Sequence, residues 1–159
     1  MEDGGTLWSS VYRFLKVVAF MLIGSYQHNI DSKGRVIMPA KFREELGEVF
    51  YATRGTDGSI TVLSKEAWEE LGKKICSLPS AKTKDLKRFI FSSAAELCPD
   101  KQGRILLPPV LRNHAGLDKD VMIIGTGSRV EIWDLDRWNK YNEDISESQV
   151  LEIMDLYEI

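Results

Sequence analysis

Seventeen residues of this chain are written twice. "DSKGRVIMPAKFREELG", residues 31–47, returns as "DKQGRILLPPVLRNHAG", residues 100–116, at an offset of 69. Asp31, Gly34, Arg35, Pro39, Arg43 and Gly47 fall on Asp100, Gly103, Arg104, Pro108, Arg112 and Gly116, with apolar residues aligned between them. Six identities in register mark an internal duplication, and a duplication restricts the fold before any single element is assigned. Each half, at about 45 residues with short strands, is too small to bury enough surface alone. The two halves must therefore share one core, as a pseudo-twofold β-rich body with short helices at its periphery.

The order of elements repeats with the residues. "MLIGSYQHNI" (21–30) is β-like, "RVIM" (35–38) returns after "DSKG" as a hairpin, and Pro39 opens a short helix that Gly47 closes. "VFYAT" and "SITVL" flank an Asp-Gly turn, and Ser64 can cap a helix carrying Trp68, Leu71 and Ile75. The second half replays this with "AAELCP", "RILL", "VLRNHA", "VMII" and "RVEIW", with "GTGS" (125–128) as the hairpin turn and Asp134 as the cap. Trp68 maps to Trp138 at an offset of 70, which predicts a second hairpin one residue longer than the first. Between the halves "SAKTKDLKRFIF" reads as a basic linker helix.

Charge is distributed unevenly. The net −3 of 159 residues argues mildly against a nucleic-acid partner, but residues 134–159 alone carry −6, leaving +3 on the rest. An acidic tail can mask a basic working face in the whole-chain sum. Cys76 and Cys98 lack the company of a disulfide framework or a zinc motif and are expected as buried thiols in a reducing cytosol. "LWSSVYRFLKVVAFMLI" (7–23) is apolar, yet Arg13 and Lys16 interrupt it and Glu2 and Asp3 lead it, which fits neither a spanning helix nor a signal peptide. Residues 1–20 are expected as an extension, with the domain opening at Met21 and no membrane association.

The repeated D-x-x-G-R element carries the chemistry. Asp31 or Asp100 at a strand end can accept hydrogen bonds from turn amides, and Gly34 or Gly103 can take the positive φ of a tight turn. Arg35 and Arg104 then emerge beside Lys33 and Lys101, concentrating cation at a stiff hairpin. A guanidinium suits both phosphate and guanine edges. A single such hairpin is better read as a plain Asp–Arg surface pair; two copies, set side by side by a pseudo-twofold and joined by Lys41, Arg43 and Arg112, favour binding.

From Met21 to about Tyr141 the chain resembles the MraZ family, bacterial regulators of the AbrB-like swapped-hairpin superfamily with two tandem SpoVT-AbrB units. The resemblance rests on "GSYQHNIDSKGRVIMPAKFREEL", "TRGTDGSITVLSKEAW", "FSSAAELCPDKQGRILLPPVLR" and "VEIWDLDRW", and on D-x-x-x-R at Asp31–Arg35 and Asp100–Arg104. It implies a mainly β, double-split barrel of two pseudo-twofold repeats. The units would span 25–67 and 95–138, with linker helices over 68–94 and an acidic tail over 139–159. It further implies a sequence-specific repressor of the division and cell-wall gene cluster that includes its own gene. Ring-shaped homo-oligomers would engage repeated boxes in double-stranded promoter DNA, in the cytoplasm and at the nucleoid. By position, Arg35 and Arg104 would contact DNA with Lys33 and Lys101 in support, while Asp31, Gly34, Asp100 and Gly103 shape the turns. Lys33 becomes Gln102 in the second copy and Lys101 falls opposite Ser32, so the loops cannot make identical contacts.

An enzyme is not indicated. His28 and His114 occupy non-equivalent repeat positions outside any nucleophile or metal motif, and the chain has no nucleotide-binding glycine motif. No cofactor and no metal are expected. The rival reading is an antitoxin-like module that binds DNA through the same body and a protein partner through the acidic tail.

Overall fold

The computed structural model describes residues 22–159; the extension expected over residues 1–20, and Met21, lie outside the described residues. The first half runs β1 (Leu22–Asn29), β2 (Arg35–Ile37), α1 (Ala40–Leu46), β3 (Phe50–Arg54), β4 (Ile60–Ser64) and α2 (Lys65–Ser77). A connecting helix α3 (Ser80–Phe91) coincides with the basic linker segment. The second half repeats the order with β5 (Ala95–Leu97), β6 (Arg104–Leu106), α4 (Pro109–Ala115), β7 (Asp120–Gly127), β8 (Val130–Asp134) and α5 (Leu135–Glu143), and α6 (Glu147–Leu156) follows.

Six strands form one antiparallel sheet in the order β1-β7-β8-β4-β3-β5, and β2 pairs with β6 as a separate ribbon. Exchanging each strand for its counterpart in the other half (β1 for β5, β3 for β7, β4 for β8) reads the same order backwards. The axis of this pseudo-twofold passes between β4 and β8, where Thr61 faces Glu131, and between β2 and β6, where Val36 faces Ile105. Each half lends its first strand to the other: β1 pairs with β7, and β5 with β3. Neither half could close its sheet alone, which is the physical reason the two fold together.

The closed barrel and the mainly β content expected from the resemblance do not hold. Strands β1 and β5 are the two edges of an open sheet, and 44% of the described residues are helical against 29% in strands. The excess helix comes from α2, α3, α5 and α6, which lie outside the repeated seventeen residues.

One face of the sheet meets the ribbon, α1 and α4. There Phe42, Leu46, Phe50, Ile60, Val62, Leu107, Leu111, Ile123 and Ile132 are buried in a single core, and Tyr26 packs edge-on against Phe42 at 5.2 Å. Removing a ring from such a site costs about 3–5 kcal/mol. The opposite face carries α2 and α3, where Trp68 stacks on Tyr51 at 5.5 Å and meets Phe91 edge-on. Buried Thr53 there donates to the Ile90 carbonyl and meets the Ser93 hydroxyl at 3.1 Å. Ser64 and Asp134 cap α2 and α5 as expected, accepting from the amides of Ala67 and Arg137.

Two further expectations, the length of the second hairpin and the burial of the cysteines, are corrected. The second hairpin is one residue shorter, because Phe50 pairs with Ser64 but Val121 with Asp134; the additional residues lie instead between Gly116 and Val121. "GTGS" does hold the β7–β8 turn, closed by the Thr126 amide donating to the Arg129 carbonyl at 2.9 Å, while Gly125–Gly127 also extend β7 to pair with Leu22–Gly24 of β1. Both cysteines are exposed: Cys76 follows buried Ile75 on α2, and Cys98 follows Leu97 where edge strand β5 ends.

Candidate nucleic-acid interface

The two D-x-x-G-R turns are built alike, atom for atom. Asp31 Oδ1 accepts from the amides of Lys33 (3.0 Å) and Arg35 (2.8 Å), and its Oδ2 accepts from Arg35 Nε at 2.7 Å. Asp100 Oδ1 accepts from Gln102 and Arg104, both at 2.9 Å, and Oδ2 from Arg104 Nε at 2.7 Å. One carboxylate thus closes the turn and orients the arginine. The Arg35 amide, desolvation opposing it, and then the Arg35 guanidinium hold the Asp31 carboxyl below its ordinary pKa, and Arg104 does the same for Asp100. Gly34 and Gly103 take φ of 85° and 78°, the left-handed region that a side chain strains to enter.

The turns are braced from across the pseudo-twofold. Arg112 on α4 donates from Nε to the Leu107 carbonyl at 3.0 Å, and its guanidinium lies over Gly34, where a Cβ would stand 2.8 Å from Nε. Arg43 on α1 donates to the Met38 carbonyl at 2.9 Å and lies over Gly103 in the same way, at 2.7 Å from Cζ. Each half's helix therefore supports the other half's turn. Both arginines, expected as DNA contacts, are half-buried and carry this packing load, whereas Lys33, Lys41 and Lys101 are exposed.

The turns flank the ribbon rather than lying side by side. Gly34 O accepts from Leu107 and Gly103 O from Met38, so the tips stand at opposite ends, about 13 Å apart along the strand. Between them Val36 and Ile105 point into the core, and the outer face presents Arg35 opposite Leu106 and Ile37 opposite Arg104. The two aliphatics are 41% and 58% exposed. They are the residues that motif reasoning missed, although the signal was present: in a strand that begins at Arg35, the residue two further on shares its face.

His114 bridges elsewhere, with Nε2 2.9 Å from the Gly55 carbonyl and its ring edge-on to Phe89. Among the described residues no group of three His, Cys, Asp or Glu could hold a metal ion, and no helix is long and apolar enough to cross a membrane.

Two halves that exchange their first strands, share a central ribbon and repeat an aspartate-held arginine define a duplicated, strand-exchanged hairpin protein with a basic presenting face. A family model described as "MraZ protein, putative antitoxin-like" matches residues 21–88 and again 90–154. The chain is 55% identical over 130 residues to the transcriptional regulator MraZ of Heliobacterium modesticaldum, covering 80% of this chain and 91% of that protein. It is 48% identical over 144 residues to that of Caldanaerobacter subterraneus subsp. tengcongensis, covering 87% of this chain and all of the relative. The chain belongs to the MraZ family.

Proposed function

We propose that this chain is a sequence-specific DNA-binding transcriptional regulator, not an enzyme, and that the β2–β6 ribbon with its two turns is the face that meets double-stranded DNA. The observation that carries the reading is the duplicated Asp–Arg clamp. It spends a carboxylate to hold each arginine at the surface, an arrangement that a purely structural hairpin does not need. Arg35 and Arg104 are the principal contacts, Lys33, Lys101 and Lys41 add phosphate contacts, and Arg43 and Arg112 act from beneath the turns. The relatives' shared name supports regulation of transcription.

The finer reading follows the family resemblance. The units span 25–67 and 95–138, joined by linker helices over 68–94, with the extension over 1–20 and the acidic tail over 139–159 at the ends. The protein acts in the cytoplasm, at the nucleoid, as a repressor of the division and cell-wall cluster that includes its own gene. A ring of subunits engages repeated promoter boxes, so that several weak contacts sum to a stable complex. The exposed apolar residues of α6 favour one further partner surface, either another subunit or the protein ligand of an antitoxin-like module. A gel shift with the DNA upstream of the protein's own gene tests the reading; equal affinity for scrambled DNA of the same length overturns it.

A further inference from the structure

We infer that Ile37 and Leu106 read sequence by packing on thymine methyl groups in the major groove, and so determine specificity alongside the two arginines. The inference rests on the DNA-binding reading above and goes beyond it by assigning base recognition to two apolar side chains.

A lone exposed aliphatic on a protein surface is ordinary. This pair is not alone. Ile37 and Leu106 are the same position of the repeat, 69 residues apart, and each stands directly across the ribbon from an arginine, Ile37 from Arg104 and Leu106 from Arg35. Their inward neighbours Val36 and Ile105 are 1% exposed and already satisfy the core, so fold stability does not require the outward residues to be apolar. The clamps matter here as well. With Nε of each arginine fixed by Asp31 or Asp100, any ligand that the guanidinium groups reach is also brought against the aliphatics between them.

The chemistry of the ligand follows from the mixture. Phosphate alone would be met best by cations, and desolvating phosphate against a methyl-rich surface is unfavourable. A second copy meeting this face with its own ribbon would oppose Arg35, Arg104, Lys33 and Lys101 with like charges. The major groove offers both things the face asks for: acceptors on guanine for the arginines, and the thymine 5-methyl as the apolar group among the base edges. It is about 12 Å wide and admits a two-stranded ribbon, whose strands lie about 4.8 Å apart. Leu106 also borders a shallow depression lined by Lys33, Glu96, Leu97, Pro108 and Arg112, so its apolar surface continues beyond the ribbon beside charged groups of both signs.

The test uses the full chain and the DNA upstream of its own gene, synthesised once with thymine and once with uracil, which lacks only the 5-methyl. Wild type should lose about three- to fivefold in affinity per contacted methyl when uracil replaces thymine. The Ile37→Ala, Leu106→Ala double variant should bind both DNAs alike, near the level of wild type on uracil DNA, and each single variant should lose part of the methyl sensitivity. Wild-type binding that ignores the substitution overturns the inference without needing any variant. So does a double variant that keeps the full methyl sensitivity, or one whose defect is a lower light-scattering mass with that sensitivity intact. Failure to prefer this fragment over scrambled DNA at all would instead bring down the DNA-binding reading on which the inference stands.

Discussion

The guanidinium of Arg43 lies over Gly103 so closely that a Cβ on the glycine would stand 2.7 Å from Cζ. The two residues belong to opposite halves of the duplication, and Arg112 repeats the relationship over Gly34. Each turn is thus shaped from within by an aspartate and from beneath by the other half's helix. The pseudo-twofold is consequently maintained at the β2–β6 ribbon and its turns and not only at the sheet.

Gly103→Ala should destabilise the fold by about 1–3 kcal/mol, because alanine must take a positive φ that its Cβ resists. It must also push Arg43 aside. Arg43→Ala removes the second difficulty but not the first, so the two changes combined should cost less than their sum, with a coupling of at least about 0.5 kcal/mol. Arg43→Ala with Gly34→Ala, which touch different turns, should come closer to additivity. Urea midpoints of the three single variants and the two doubles decide this; full additivity of Arg43 with Gly103 would mean that the packing carries no energy.

The aspartates give the turns a pH dependence of known sign. Asp31 and Asp100 are held below their ordinary pKa, chiefly by the amides of Arg35 and Arg104, so the folded state favours the carboxylate. Their contribution is fully present above the unfolded value, about 3.9, and is lost as pH falls through the lower folded value. Asp→Asn keeps one acceptor oxygen for the turn amides but gives up the charge facing the guanidinium. The stability gap between wild type and the Asp31→Asn, Asp100→Asn double variant should therefore be largest near neutrality and shrink toward pH 3. A gap unchanged between pH 6 and pH 3 would contradict the ion pairing.

Much of this was open to reading in the residues. The duplication, the Asp-led turns, the positive φ at Gly34 and Gly103 and the caps at Ser64 and Asp134 depend on local chemistry, which sequence spells out directly. What stayed hidden depends on partners distant in sequence. That Arg43 and Arg112 serve the opposite turns follows from the strand exchange, which no local pattern records. The open sheet likewise follows from β1 and β5 ending as edges, and exposure of Cys76 and Cys98 from their places at the rim. The outward Ile37 and Leu106 are legible in the strand period, since each lies two residues beyond an outward arginine.

Arg35 and Arg104 should separate phosphate from base recognition. If an arginine meets only phosphate, Arg→Ala should weaken all DNA alike and lower the salt slope by about 0.9 per lost contact in each engaged subunit. If it reads guanine with two parallel hydrogen bonds, the same change should cost about 1–3 kcal/mol per site and erode preference for cognate boxes. Arg→Lys should restore the phosphate role better than the guanine role, since lysine keeps charge but lacks the planar fork. Titrations of promoter and scrambled DNA across a range of salt distinguish these outcomes. A double alanine variant that binds the promoter as tightly as wild type would refute the turn-tip mechanism.

Helix α6 is left uncovered by the other described residues. Every residue of Glu147–Leu156 is exposed, including Leu151 at 59%, Ile153 at 56% and Leu156 at 73%. Isolated helices shorter than about 12–15 residues are marginal in water, and the Ser146 cap and the acidic Glu147 in the first turn add only modestly to the 10 residues of α6. A short helix with this much apolar surface is stable when that surface is buried against something else, and in the assembly proposed above the cover is a neighbouring subunit. Removing residues 145–159 should leave the far-ultraviolet circular dichroism of the remaining chain native-like, because no buried core residue is lost. It should also lower the light-scattering mass to a smaller species and weaken binding to fragments carrying several boxes more than to a single box. A truncated protein of undiminished assembly size would show that α6 covers no subunit interface.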